Sequence, residues 1–288
     1  MRRVLAGIVL LIVYGSLFPW HFALRPAGPM LQWPHTLTSD DALVNLVLYL
    51  PVGACAYFAY PLRGWRRVGA PVAISLALSL CMELGQVFVP GRSSELTDVL
   101  LNTAGGALGV AVAALLPQAL TVEGFLLVCW VLHLAARHFD GWATECAGVL
   151  VAASVAMPER TRRWRWLVAV VCVAAVLVRG LRPFAFVANA RAFLWIPFGG
   201  FLASQTEYGI GVLFAKLFWY GAGVWAIRRL GAAWWMAGAA VAVELGAIEA
   251  IQRYMPTHVA EITDPLMALL LAGAFAAVST RPQEAAEC

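Results

Sequence analysis

Two stretches of the sequence carry the same polar residues at the same spacing. The first is Glu83-x-x-Gln86-x-x-x-Pro90-x-x-x-x-Glu95-x-Thr97-Asp98, and the second, 166 residues later, is Glu249-x-x-Gln252-x-x-x-Pro256-x-x-x-x-Glu261-x-Thr263-Asp264. Six of the sixteen positions match without a gap, and because only 12% of all residues are charged, shared hydrophobicity does not explain the match. We interpret the chain as a tandem duplication.

The repeated acids predict a pair of carboxyl groups beside amide side chains. Glu83 and Gln86 are three apart and share a helix face, and Asp98 and Asn102, four apart, share a face of the next helix. We expect Glu83 and Asp98 to lie together in the outer third of a membrane, beneath a turn that carries Arg92. Two buried acids can share a proton and act as general acid and base, so these two are the catalytic candidates.

The second stretch predicts a similar but partly degenerate site, because Ala268 stands where the first has Asn102. The residues predicted to bind a ligand are Asn45, Glu83, Gln86, Arg92, Glu95, Asp98, Asn102, Glu249, Gln252, His258, Glu261 and Asp264. The alternative is that these side chains only hold helices together, since intramembrane acids and amides form hydrogen bonds between neighbouring helices.

Two further ionisable residues, Lys216 and Glu244, fall at similar depth in consecutive apolar segments. We expect them to form a structural ion pair, with a proton or ion pathway as the alternative. The six cysteines are scattered singly and predict neither disulfides nor a zinc site. We expect no metal and no cofactor.

The composition, 62% hydrophobic, predicts an all-α polytopic membrane protein. We expect about ten transmembrane helices and one short re-entrant or interfacial segment at 192–204, arranged as a parallel tandem repeat. The predicted spans are 4–20, 42–60, 70–90, 97–116, 121–137, 143–157, 165–181, 208–227, 232–252 and 264–280.

The distribution of arginines predicts that both termini are cytoplasmic and that the chain is a multi-pass protein of the inner cell membrane. The net charge of +4 sits at helix ends and does not indicate nucleic acid as a partner. The predicted domains are 1–118, a connector at 119–160 with two transmembrane helices, 161–280, and a polar tail at 281–288.

Three motifs in order resemble the VanZ-like family of bacterial integral membrane proteins. They are Asn45-x-x-x-Tyr49-x-Pro51-x-Gly53, Glu83-x-x-Gln86-x-x-x-Pro90-Gly91-Arg92, and Asp98-x-x-x-Asn102-x-x-Gly105. The resemblance covers residues 4–117, and residues 165–280 resemble a second, diverged VanZ-like domain. It implies a role at the cell envelope, since the namesake of the family is linked to low-level teicoplanin resistance. It supplies no catalytic residues.

A rival alignment of the two halves matches Asn45-x-x-x-Tyr49-x-Pro51-x-Gly53 to Arg191-x-Phe193-x-Trp195-x-Pro197-x-Gly199. Its offset is 146 residues rather than 166, and the sequence alone leaves both open.

Three functions follow as hypotheses. The first is a protein that binds membrane lipids, a lipid-linked glycan or a glycopeptide near the outer leaflet, with Arg92 on a phosphate or carboxylate. The second is an intramembrane hydrolase or transferase that uses Glu83 and Asp98. The third is a transporter, which tandem parallel repeats often build.

Overall fold

The computed structural model describes residues 1–33, 39–136, 141–157, 161–203 and 209–279. Over these residues the chain is helical, with ten α-helices of at least 14 residues and one short helix of 5 residues. The helices are α1 Arg2–Ser16, α2 Ser39–Ala59, α3 Arg66–Gln86, α4 Leu96–Leu115, α5 Val122–Ala135, α6 Trp142–Ala156, α7 Arg162–Leu181, α8 Gly199–Ala203, α9 Gly209–Arg229, α10 Trp234–Gln252 and α11 Thr263–Ser279.

The helices lie where the sequence predicts apolar spans, so the all-helical fold class is confirmed. Within the part of the chain that the structure describes, five helices are long and apolar enough to cross a bilayer, at 42–59, 66–86, 96–115, 162–181 and 234–252, and three more are apolar but shorter. The protein is therefore a membrane protein, while the count of ten crossings stays a prediction. The polar tail at 281–288 lies outside the described residues.

The chain divides into two compact units, Met1–Leu120 and Thr121–Cys288. In the first unit, α2 packs very closely along α4. A side chain at Gly53 or Gly109 would overlap the backbone of the facing helix, so only glycine fits at these two positions. Glycine pairs of this kind let membrane helices approach closely. This approach brings the polar end of α2 next to the start of α4.

In the second unit, α5 packs against α9, where the Trp225 indole donates a hydrogen bond of 3.0 Å to Glu123. Helices α10 and α11 form an antiparallel hairpin, as α3 and α4 do in the first unit. The hairpins at 83–98 and 249–264 are therefore the elements that position the repeated polar residues.

Each unit also contains a loop that lies against the turn of its hairpin. The first loop segment, residues 17–33, follows α1, and its Ala23 and Gln32 amides donate to the carbonyls of Phe88 and Ser94, at 2.7 and 3.0 Å. The second loop segment, residues 182–198, follows α7. The segment at 192–204 contains only loop and the five-residue α8 over its described part, so no helix long enough to span lies there.

The hydrogen bonds between the second loop segment and its hairpin turn occur in the same order along the chain as those of the first. The Val187 and Leu194 amides donate to the carbonyls of Tyr254 and Ala260, at 2.7 and 2.9 Å. Trp20 and Phe184, near the start of the two loop segments, both have φ of 60°, a left-handed conformation that non-glycine residues seldom adopt. Both hairpin turns are therefore covered by a loop of similar backbone path.

Candidate functional site

The first predicted acid, Glu83, binds the backbone at the start of the next helix. Its Oε2 accepts a hydrogen bond of 2.7 Å from the amide of Glu95, the residue that precedes α4. Glu83 is 3% exposed. Because the first amides of a helix lack intrahelical acceptors, a carboxylate at this place satisfies one of them and fixes the geometry of the hairpin.

Asp98 and Asn102 connect α4 to its two neighbours. The Asn45 amide donates to Asp98 Oδ1 at 2.8 Å, and the Asn102 amide donates to Ser79 Oγ at 2.9 Å. The buried Tyr49 hydroxyl lies beside Ser79. The Asp98 carboxylate lies close enough to Glu83 for the two acids to interact electrostatically. We call Asn45, Tyr49, Ser79, Glu83, Asp98 and Asn102 the first polar cluster.

Gln86 and Arg92 bind the end of α1. Gln86 Nε2 donates to the Ser16 carbonyl at 3.0 Å, while Arg92 Nε and Nη2 donate to the carbonyls of Phe18 and Gly15, at 3.1 and 3.3 Å. Carbonyls at a helix C-terminus lack intrahelical donors. Two nitrogens of the Arg92 guanidinium are thus engaged by the backbone, and its predicted role on a phosphate stays a prediction.

The same contacts recur in the second unit. Glu249 Oε2 accepts from the Glu261 amide at 2.7 Å, and Gln252 Nε2 donates to the Gly180 carbonyl, near the end of α7, at 2.8 Å. Glu249 is 2% exposed. Glu261 itself accepts from the Gly200 amide at 3.3 Å. The repeated glutamate and glutamine positions therefore have the same bonding partners in both units.

Asp264 has charged and polar partners on α9. Lys216 Nζ lies 2.6 Å from its Oδ1, and the Tyr220 hydroxyl donates to its Oδ2 at 2.6 Å. The Glu249 carboxyl lies close to Asp264. We call Lys216, Tyr220, Glu249 and Asp264 the second polar cluster.

The predicted ion pair between Lys216 and Glu244 is wrong, because Lys216 pairs with Asp264. Glu244 lies near Cys172 of α7 instead. It precedes Glu249 by five residues, a rotation of about 140° around the helix axis. Glu244 therefore lies on a different face of α10 from Glu249, the glutamate that is close to Asp264.

Lys216 has a contact in the second polar cluster like that of Asn45 in the first. Lys216 and Tyr220 are four apart and bind Asp264, just as Asn45, four residues before Tyr49, binds Asp98. Arg191 lies in the second loop segment, where its Nη1 donates to the Pro256 carbonyl at 2.7 Å. By its contact, Lys216 rather than Arg191 takes the place of Asn45, while the two alignments of the halves stay predictions.

His258 lies in the α10–α11 turn at the position that corresponds to Arg92. Its Nδ1 is 3.1 Å from Thr257 Oγ1. Burial lowers the pKa of His258 below its ordinary value, and the Lys216 charge lowers it further. Among the residues that the structure describes, no group of three His, Cys, Asp or Glu side chains is arranged to hold a metal ion.

Comparison with known proteins gives one match. Residues 4–117 match a family model described as VanZ/LLP1. No curated protein and no solved structure matches the chain. The matched region contains all of the first polar cluster and the first loop segment.

Proposed function

We propose that this membrane protein of the VanZ type, with its VanZ-like domain at residues 4–117, binds an amphipathic component of the cell envelope in its first unit. The ligand class is a lipid-linked glycan or a glycopeptide, held near the outer leaflet. One observation carries the proposal: the first polar cluster lies beneath a loop segment whose apolar side chains are exposed.

Several apolar side chains of the first loop segment are exposed. Phe22 is 56% exposed, Trp33 65%, and Leu24 is fully exposed. The segment is fastened to the α3–α4 turn by four backbone hydrogen bonds, including those of Ala27 to Val87 and of Leu96 to Gln32. Apolar and aromatic groups beside a polar group are what a molecule with an apolar chain and a polar head requires.

The polar part of the ligand would meet Asn45 and Asp98, which are both half-buried and thus reachable from the surface. The apolar part would lie along Phe22 and Trp33. Large aromatic residues at this level are typical of the membrane interface, where one end of a side chain is in lipid and the other in water.

Binding is a better account of the cluster than acid–base catalysis. In both units the glutamate accepts a backbone amide at 2.7 Å, which is the role of a structural acceptor rather than of a base poised for substrate. Transport has less support, because it calls for polar groups along a path through both leaflets.

We further infer that the two units are diverged copies that run in parallel through the inner membrane, with both termini cytoplasmic. The shared bonds of Glu83 and Glu249, and of Gln86 and Gln252, support the duplication. Both hairpin turns then face the outer side of the membrane.

The test measures binding of an undecaprenyl-diphosphate-linked glycan and of teicoplanin to the intact purified protein by native mass spectrometry. We expect binding of at least one of them, weakened about 10- to 150-fold by Trp33→Ala, because burying a large apolar side chain contributes about 1.5–3 kcal/mol. Trp235→Ala, at a tryptophan of α10 that is 73% exposed, is the matched control and leaves binding unchanged.

If neither compound binds to the protein, the proposal is wrong. Equal loss of affinity in the Trp33 and Trp235 variants would move the binding surface away from the first loop segment.

A further inference from the structure

Two arginines of the second unit lie together at the turn between α10 and α11. The Arg191 amide donates to the Arg253 carbonyl at 2.7 Å, and Arg253 Nε donates to the Arg191 carbonyl at 3.1 Å. Arg191 Nη1 donates to the carbonyls of Pro256 and His258, at 2.7 and 3.0 Å. Both guanidinium groups are therefore held at the same turn by backbone oxygens.

Each guanidinium has further donors that the protein does not use. Nη1 and Nη2 of Arg253, and Nε and Nη2 of Arg191, have no hydrogen-bond partner among the described residues. Neither side chain forms an ion pair with a carboxylate of the described part of the chain. Arg191 is exposed and Arg253 is half-buried, so a ligand can reach these donors.

The first unit has the same backbone bond without the two charges. There the Ala27 amide donates to the Val87 carbonyl at 2.7 Å. Val87 directly follows Gln86, just as Arg253 directly follows Gln252. Because two apolar residues form this bond in the first unit, attachment of the loop segment to the turn does not require two arginines.

Exposed apolar side chains flank the two arginines. Tyr254, the residue after Arg253, is 44% exposed, and its carbonyl accepts a hydrogen bond from the amide of Val187. Val187 and its neighbour Phe186 are also exposed. Aromatic residues at the ends of membrane helices are typical of the interface, where the phosphate groups of lipids lie. The turn therefore presents cationic donors and apolar surface side by side.

We infer that Arg191 and Arg253 bind a phosphate group at the α10–α11 turn. A guanidinium presents planar N–H donors that match the oxygens of a phosphate. The bonds to backbone carbonyls already restrict both side chains, so less conformational entropy is lost on binding. A bound phosphate also offsets the repulsion between two like charges at one turn.

The phosphate can belong to a lipid headgroup or be a free ion, and the exposed apolar side chains favour the lipid. This site lies in the second unit and goes beyond the function proposed for the first unit. Its test is therefore independent of the binding experiments on the first loop segment.

The probes are dioctanoyl phosphatidylglycerol, dioctanoylglycerol, which lacks the phosphate, and inorganic phosphate. Their affinities for the intact protein in detergent are measured by microscale thermophoresis. We expect phosphatidylglycerol to bind at least about tenfold tighter than dioctanoylglycerol, the ratio typical of a charge-assisted hydrogen bond.

Arg253→Gln is the decisive variant, because it removes one charge and keeps a side-chain donor toward the Arg191 carbonyl. It should weaken the binding of phosphatidylglycerol about tenfold and leave that of dioctanoylglycerol unchanged. Arg163→Gln makes the same change of charge at an exposed arginine at the start of α7, and is the matched control. It should keep the affinity of the wild type.

If Arg253→Gln does not fold, Arg191→Ala, which copies the Ala27 of the first unit, is measured in its place. Equal affinity of the wild type and a folded variant for phosphatidylglycerol overturns the inference. An equal loss of affinity in Arg163→Gln also overturns it, because net charge alone would then account for the binding.

Competition with inorganic phosphate identifies the source of the phosphate group. Displacement of phosphatidylglycerol from the wild type would support a site for phosphate in general, and its absence would support a site for the lipid headgroup. Chloride at the same ionic strength is the control, since any salt screens exposed charges. Equal displacement by chloride would show that the arginines do not select phosphate, and would contradict the inference.

Discussion

Removal of the Glu83 carboxylate should destabilise the first unit, because the Glu95 amide loses its acceptor. The bond is short, at 2.7 Å, and the side chain is 3% exposed. A hydrogen bond to a charged group contributes about 1.5–3 kcal/mol to the free energy of unfolding. Glu83→Leu should lose about this amount, and Glu83→Gln, which keeps an acceptor oxygen, should lose only about 1 kcal/mol.

The measurement is the free energy of unfolding of the purified protein in mixed micelles titrated with dodecyl sulfate. Glu249→Leu provides a matched comparison, since its bond to the Glu261 amide is also 2.7 Å. Its loss should agree with that of Glu83→Leu to within about 1 kcal/mol. Leu84→Ala, at an exposed leucine beside Glu83, should change stability much less.

Wild-type stability in Glu83→Leu would refute this reasoning. So would a Glu83→Gln protein that is fully stable but has lost a measurable turnover of an envelope lipid, which is the result expected of a catalytic acid.

Three other predictions concern the helix contacts and the second unit. Lys216→Met should cost about 2 kcal/mol of unfolding free energy by leaving Asp264 without its cation, and Asp264→Asn in the same protein should recover most of it. Gly53→Ala should cost about 1–3 kcal/mol because the new side chain meets the backbone of α4, while Gly7→Ala, with open space around it, should cost nothing. The pKa of His258 is lower in the folded than in the unfolded protein, so the unfolded state binds its proton first and stability should fall as the pH drops from about 7 to about 5. His258→Gln should remove that slope in unfolding experiments at a series of pH values.

The hairpins were predictable because polar residues at fixed spacing in an apolar chain indicate both the helices and the faces they share. Glu83 and Asp98 lie near one another, as their sequence positions predict. The bond of Glu83 to the Glu95 backbone was not predictable, since a backbone amide has no side-chain signature. The positions of the two loop segments were not predictable for the same reason, because these segments are held mainly by backbone hydrogen bonds such as that of the Ala23 amide.

The sequence analysis assigned the wrong ion-pair partner to Lys216. Depth along a helix follows from residue numbers, but rotation about its axis relative to a neighbour depends on packing. Lys216 was therefore assigned to Glu244, although its partner in the structure is Asp264.

The most direct test of the account is an electron cryomicroscopy map of the intact protein in nanodiscs that contain an undecaprenyl-diphosphate-linked glycan. The account predicts density with its polar end against Asn45 and Asp98 and its apolar end along Phe22 and Trp33. A map that resolves lipids elsewhere around the helices but shows none at the first polar cluster would contradict it.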